Sequence, residues 1–200
     1  MLKKIIIAFL VLIFVAVGLY LFLSSKSENF SKNNILQELE NNHPELSEYI
    51  KEVEEAQKEF EMNPDDIAQY NHLGLAWKGL ADRVNDLKLS NRDYFYEQAL
   101  DVYLAGVEAS DRKNTLLIVN AGNMAQYLEK YEQAEDLYKE AIFVSPGDWT
   151  YYVRLADLYE YKMKKSSDEI LAVYESGEEK VMNPESLITI KEQYLNRISE

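Results

Sequence analysis

Two stretches of this chain open with the same four letters: Tyr96–Gly106, YEQALDVYLAG, and Tyr131–Ala141, YEQAEDLYKEA. Each sets a small residue, an aromatic residue and a second small residue at offsets of four and seven: Ala99, Tyr103, Gly106, then Ala134, Tyr138, Ala141. A period of 3.6 residues puts all three side chains of a stripe on one helical face. A looser third copy follows as Ile170, Tyr174, Gly177, so that successive stripes begin 35 and 36 residues apart. Small side chains let a neighbouring helix come close while the tyrosine fills the space beside it. Self-similarity at this period is the mark of stacked helical units.

A partner helix with its own small residue precedes each stripe: Leu73-Gly74 with Trp77, Ala121-Gly122 with Ala125, and Leu155-Ala156 with Tyr159. Helix pairs crossing at small residues, and repeating near 34 residues, resemble the tetratricopeptide-repeat (TPR) family. The middle unit carries the resemblance best, with Gly122, Ala134, Tyr138, Ala141 and Pro146 standing where that family places small, small, aromatic, small and proline. The resemblance covers about residues 64–182. It implies an all-α chain: an α-solenoid of about three TPR-like helix pairs over 64–112, 113–147 and 148–182, within a domain of residues 45–200. The interval from Gly74 to Ala99 is 25 residues against 12 from Gly122 to Ala134, which implies longer helices or an insertion near Asn85 to Arg92. The third unit is two residues longer than the second over the same interval.

Helix ends agree with this phasing. Asn63-Pro64-Asp65 and Asn183-Pro184-Glu185 each read as a cap, a first-turn proline and an acid that suits the helix dipole. Ser166 with Glu169 fits a capping box. Residues 184–198, with Leu187, Ile190, Tyr194 and Leu195 apolar, read as the capping helix that a stack needs at its end. Leu46 to Phe60 is expected to cover the other end. Residues 26–44 are polar and read as a spacer, with at most a short helix around Ile35 to Leu39.

At the N-terminus, Ile5 to Leu23 are nineteen residues without charge or proline. As a helix they would be about 28 Å long, against a hydrocarbon core of about 30 Å. We read residues 1–25 as a transmembrane helix acting as an uncleaved signal-anchor. Lys3 and Lys4 precede the run, so the N-terminus is expected to stay cytoplasmic and the repeat domain to be extracytoplasmic, single-pass in the cell membrane. The alternative is a secreted protein released by signal-peptide cleavage near Ala16 and Gly18 or after Ser25. The first site would leave the apolar run LYLFL at the new terminus, and the second would place the large Leu23 where a small residue is preferred.

The formal net charge of −14 opposes binding to nucleic acid or to anionic lipid headgroups. With no cysteine there is no disulfide framework, thiolate metal site or thiol nucleophile. His43 and His72 are not spaced with carboxylates as metal ligands are, and the glycines are isolated rather than grouped in a phosphate loop. The expected function is therefore non-catalytic, with no cofactor and no metal: a membrane scaffold for a protein or peptide partner. Self-association through the repeats is the alternative.

In the family resembled, the first helix of each pair lines a concave groove. By phase this implies Asn71 and Leu75, then Asn120, Asn123 and Tyr127, then Val153, Arg154, Asp157 and Tyr161. Asn71, Asn120, Asn123, Tyr127, Arg154 and Tyr161 are the candidate binding residues. Asn120 and Arg154 fall on two of the five positions with which part of the family clamps a peptide carboxylate. Asn71, Leu75 and Thr150 occupy the other three and depart from that pattern.

Overall fold

The structure is a computed structural model that describes residue 32 and residues 34–199. The expected anchor, residues 1–25, lies outside the described residues. No helix among the described residues is long and apolar enough to cross a membrane. The chain divides into two compact units, with the boundary between Ile50 and Lys51.

In the first unit, residues 34–42 form a helix, α1, and Pro44–Leu46 a single 3-10 turn leading into α2 (Ser47–Met62). Helix α1 is longer than the Ile35–Leu39 turn expected of the spacer. Leu36 and Leu39, three residues apart and both buried, give the polar stretch an apolar face that holds further turns in place. His43 before Pro44 is forced out of helical geometry (φ −137°, ψ 73°), which breaks the helix there.

The second unit continues α2 and adds α3 (Ile67–Asp86), α4 (Arg92–Ala109), α5 (Thr115–Tyr127), α6 (Tyr131–Val144), α7 (Trp149–Asp157), a π-helical segment (Leu158–Met163), α8 (Ser167–Glu178) and α9 (Glu185–Ser199). There is no strand among the described residues. From α3 onward each helix packs on the next, giving pairs α3/α4, α5/α6 and α7/α8 with α9 laid on α7 and α8.

Every residue of the three stripes is buried, as are Gly74, Gly122 and Ala156 on the facing helices. The crossings are too tight for a side chain. A Cβ on Gly74 would stand 2.4 Å from the Tyr103 ring, and one on Gly122 would stand 2.6 Å from the Tyr138 ring. A Cβ on Gly177 would meet Leu187 at 2.4 Å, so α9 is seated by the same device.

The long first interval resolves into longer helices. Helices α3 and α4 have 20 and 18 residues, against 13 and 14 in α5 and α6. The two extra residues of the third unit sit at a widened turn, where the π segment ends on Lys164 in the left-handed region (φ 54°). Helices α3, α4 and α5 all end in a Schellman-type turn, with the N–H groups of Leu89, Arg112 and Lys130 reaching back to Val84, Val107 and Ala125.

Two expected starts move. Asp66, not Asn63, caps α3 by accepting from the Ala68 N–H at 2.9 Å. Asn63 instead closes the end of α2, and its carbonyl accepts from the Asp66 N–H in the intervening turn. At α9 the Pro184 carbonyl takes the first helical bond, so proline stands at the cap and not one residue inside. The Ser166–Glu169 capping box forms as read.

Candidate functional site

The first helices of the three pairs are α3, α5 and α7. Helix α5 has no charged residue in a chain where 28% of residues are charged. Its buried side carries Leu117, Ile118, Ala121, Gly122, Met124 and Ala125. The other side presents Leu116, Asn120, Asn123 and Tyr127, with Leu116 and Tyr127 exposed.

The structure ties the candidate residues into neighbouring pairs. Asn120 Nδ2 donates to Asn71 Oδ1 at 3.1 Å, joining α5 to α3. The Tyr138 hydroxyl reaches Asn123 Oδ1 at 2.9 Å and Gln126 Oε1 at 3.1 Å, joining α6 to α5. The Tyr127 ring packs on that of Tyr96 at 5.2 Å, and the Lys78 ammonium lies 5.9 Å from the Tyr127 ring centre. Tyr96 in turn donates to Asp82 at 2.8 Å. Tyr161, on the π segment, has the Arg197 guanidinium 5.8 Å from its ring centre, while Arg197 grips Glu160 through two contacts of 2.7 Å.

Arg154 is exposed, and its side chain forms no ion pair or hydrogen bond among the described residues. The Arg154–Asp157 ion pair that their three-residue spacing allows is not made. Burial, reinforced by the negative charge of Glu160, holds the Asp157 carboxyl above the usual aspartate range, against the pull of Arg154 and Arg197. The Tyr138 hydroxyl is pushed up mainly by burial, and it also feels Arg154, Tyr127 and Asp157. Charges from both α5 and α7 therefore act on one hydroxyl.

The three pairs can be compared position by position, one and four residues beyond the small crossing residue. Beneath Asn123 and Gln126 the Tyr138 hydroxyl is doubly held. The corresponding residues over Tyr103 are Leu75 and Lys78, and the buried Tyr103 hydroxyl has no partner among the described residues. Over Tyr174 stand Asp157 and Glu160; burial first, then those two charges, push its hydroxyl up to about 12. Gln126, Lys78 and Glu160 lie outside the six candidates, although a count of four from Gly122, Gly74 and Ala156 points to them. Arg197 has no such signal, because only the docking of α9 brings it to Glu160.

The histidines take surface roles. His43 contacts Glu45 at 3.2 Å and His72 contacts Glu59 at 3.1 Å, and no cluster of metal-ligating side chains occurs among the described residues. A separate cavity of about 370 Å³ lies between α6, α7 and α8, lined by Ile142, Leu155 and Val173 with Lys139 and Glu169. None of the six candidates lines it.

Three antiparallel helix pairs crossing at glycine or alanine, with a further helix closing the end, define a TPR-like fold. Among solved structures the chain is similar to TTC0263, a thermophilic TPR protein of Thermus thermophilus, at a TM-score of 0.59 and 21% identity over 80% of this chain and 79% of that one. A similarity to the MamA protein, at a TM-score of 0.39 and 17% identity over 74% of this chain and 90% of that one, is too loose to carry structural weight. No protein-family model matches the chain. No curated protein matches it.

Proposed function

We propose that this protein is a non-catalytic scaffold that docks a peptide or envelope protein on the face formed by α3, α5 and α7. Residues 1–25 anchor it in the cell membrane, with the N-terminus cytoplasmic and the repeats outside. The observation that carries the docking is the uncharged α5, whose Asn120, Asn123 and Tyr127 form a neutral strip beside the open cation of Arg154. Amide side chains donate to and accept from a peptide backbone, an exposed ring offers a flat apolar contact, and a guanidinium grips a carboxylate with two donors. Docking then rests on these contacts and on preorganisation by the intrachain amide pairs, with no bond made or broken.

Pull-down of the full chain from membranes, followed by mass spectrometry, tests this reading. Recovery of a distinct protein, lost when Arg154 is replaced, agrees with it. A C-terminal phosphatase fusion that is active and stays with membranes agrees with the anchor and its orientation. A soluble secreted product contradicts the anchor.

Self-association is the second reading. Phe143, on α6, is 86% exposed. If copies pair there, Phe143→Glu converts a dimer to a monomer in sedimentation.

A further inference from the structure

Arg154 and Asp157 stand one turn apart on the same face of α7, with opposite charges and no partner for either side chain among the described residues. The neighbouring Glu160 is gripped by Arg197. Asp157 is half-buried and makes no direct ion pair among the described residues, so the pull of Arg154 and Arg197 offsets only part of the cost of withdrawing its carboxylate from water. A cation supplied from outside removes that cost. Tyr161, four residues on and half exposed, gives the stem of such a side chain an apolar wall.

Resting on the docking face described above, we propose that the segment docked there ends in lysine or arginine, with its terminal carboxylate on Arg154 and its side-chain cation on Asp157. Charge complementarity selects this ending over others. An acidic last residue would set a second negative charge against Asp157 and Glu160. An apolar one would leave Asp157 unpaired. The net charge of −14 draws a basic segment in, and the open guanidinium of Arg154 fixes which end of it faces α7.

The test uses the full chain in detergent micelles and fluorescein-labelled ten-residue Gly/Ser peptides with three endings: lysine acid, norleucine acid and lysine amide. By fluorescence polarisation the lysine acid should bind about tenfold tighter than either other peptide. In Asp157→Asn the preference for lysine over norleucine should vanish while that for acid over amide remains, with helix content retained and a melting temperature no lower than that of the unaltered protein. In Arg154→Ala the acid preference should vanish. Equal affinity for the lysine and norleucine acids in the unaltered protein overturns this inference alone, as does a lysine preference that survives Asp157→Asn. No binding by any peptide, or acid and amide bound alike and unaffected by Arg154→Ala, overturns the docking reading and this inference with it.

Discussion

The Tyr138 hydroxyl lies 2.9 Å from Asn123 Oδ1, a contact that locks a core tyrosine of one helix to a surface amide of its partner. Its counterpart Tyr103 is as deeply buried but lies beneath Leu75 and Lys78, and its hydroxyl has no partner among the described residues. The same residue type at the same place in two repeats therefore contributes with opposite sign.

Tyr138→Phe should destabilise the fold by about 1–3 kcal/mol, because it removes a satisfied hydroxyl and the one donor that the Asn123 and Gln126 side-chain oxygens share. Tyr103→Phe should be neutral or stabilising by about 1 kcal/mol, since it deletes a buried group that is already unpaired. Chemical denaturation of the two variants side by side checks this. Equal losses in both would show that the hydroxyls do not matter as the geometry says.

The crossing at Gly122 leaves no room for a side chain, and Tyr138, fully buried, has nowhere to retreat. Gly122→Leu should lose about 3 kcal/mol or more, the upper end of overpacking costs. The control is Gly147→Ala, where an added Cβ meets nothing within 4 Å, and where a change within about 0.5 kcal/mol is expected. A melting temperature unmoved by Gly122→Leu would contradict the crossing.

Asp157 holds its proton to higher pH when folded than when unfolded. Between those two values the native state binds more protons, so this group lowers stability as pH rises through that window. Below the ordinary aspartate value of about 3.9 both states are protonated and the effect disappears. Asp157→Asn should therefore melt higher than the unaltered protein near neutral pH, with the gap closing on acidification. A constant gap would show that the carboxyl is not responsible.

Much of this arrangement is legible in the sequence. The Ala99/Tyr103/Gly106 spacing and its two later copies place the helix pairs because small residues and tyrosine at offsets of four and seven have few other uses. The caps are less legible. Asn63-Pro64-Asp65-Asp66 offers three side chains able to cap, and which one does so depends on where α2 ends. The π segment shows in the sequence only as two surplus residues. Among the candidate residues, helical phase identifies the face but not the partners. That Asn120 would meet Asn71, 49 residues away, or that Arg154 would decline Asp157, follows from tertiary packing.

Arg154→Ala should leave stability nearly unchanged, because an exposed side chain with no partner contributes about 0–1 kcal/mol. It should reduce recovery of the partner from membranes. Lys180, exposed on the turn after α8 and bonded only locally to Ser176 at 3.0 Å, is the comparison. Equal loss of partner in Arg154→Ala and Lys180→Ala, or loss in neither, would remove Arg154 from the site.

The docking face is tested most directly by site-specific photo-crosslinking in the full-length membrane protein. A photoreactive phenylalanine analogue replaces Tyr127 or Tyr161 on the proposed face, or Phe143 on α6; all three are exposed and already aromatic. Adducts to a distinct protein are expected from positions 127 and 161 and none from position 143. Adducts confined to position 143, or to a second copy of this chain, would contradict the docking face.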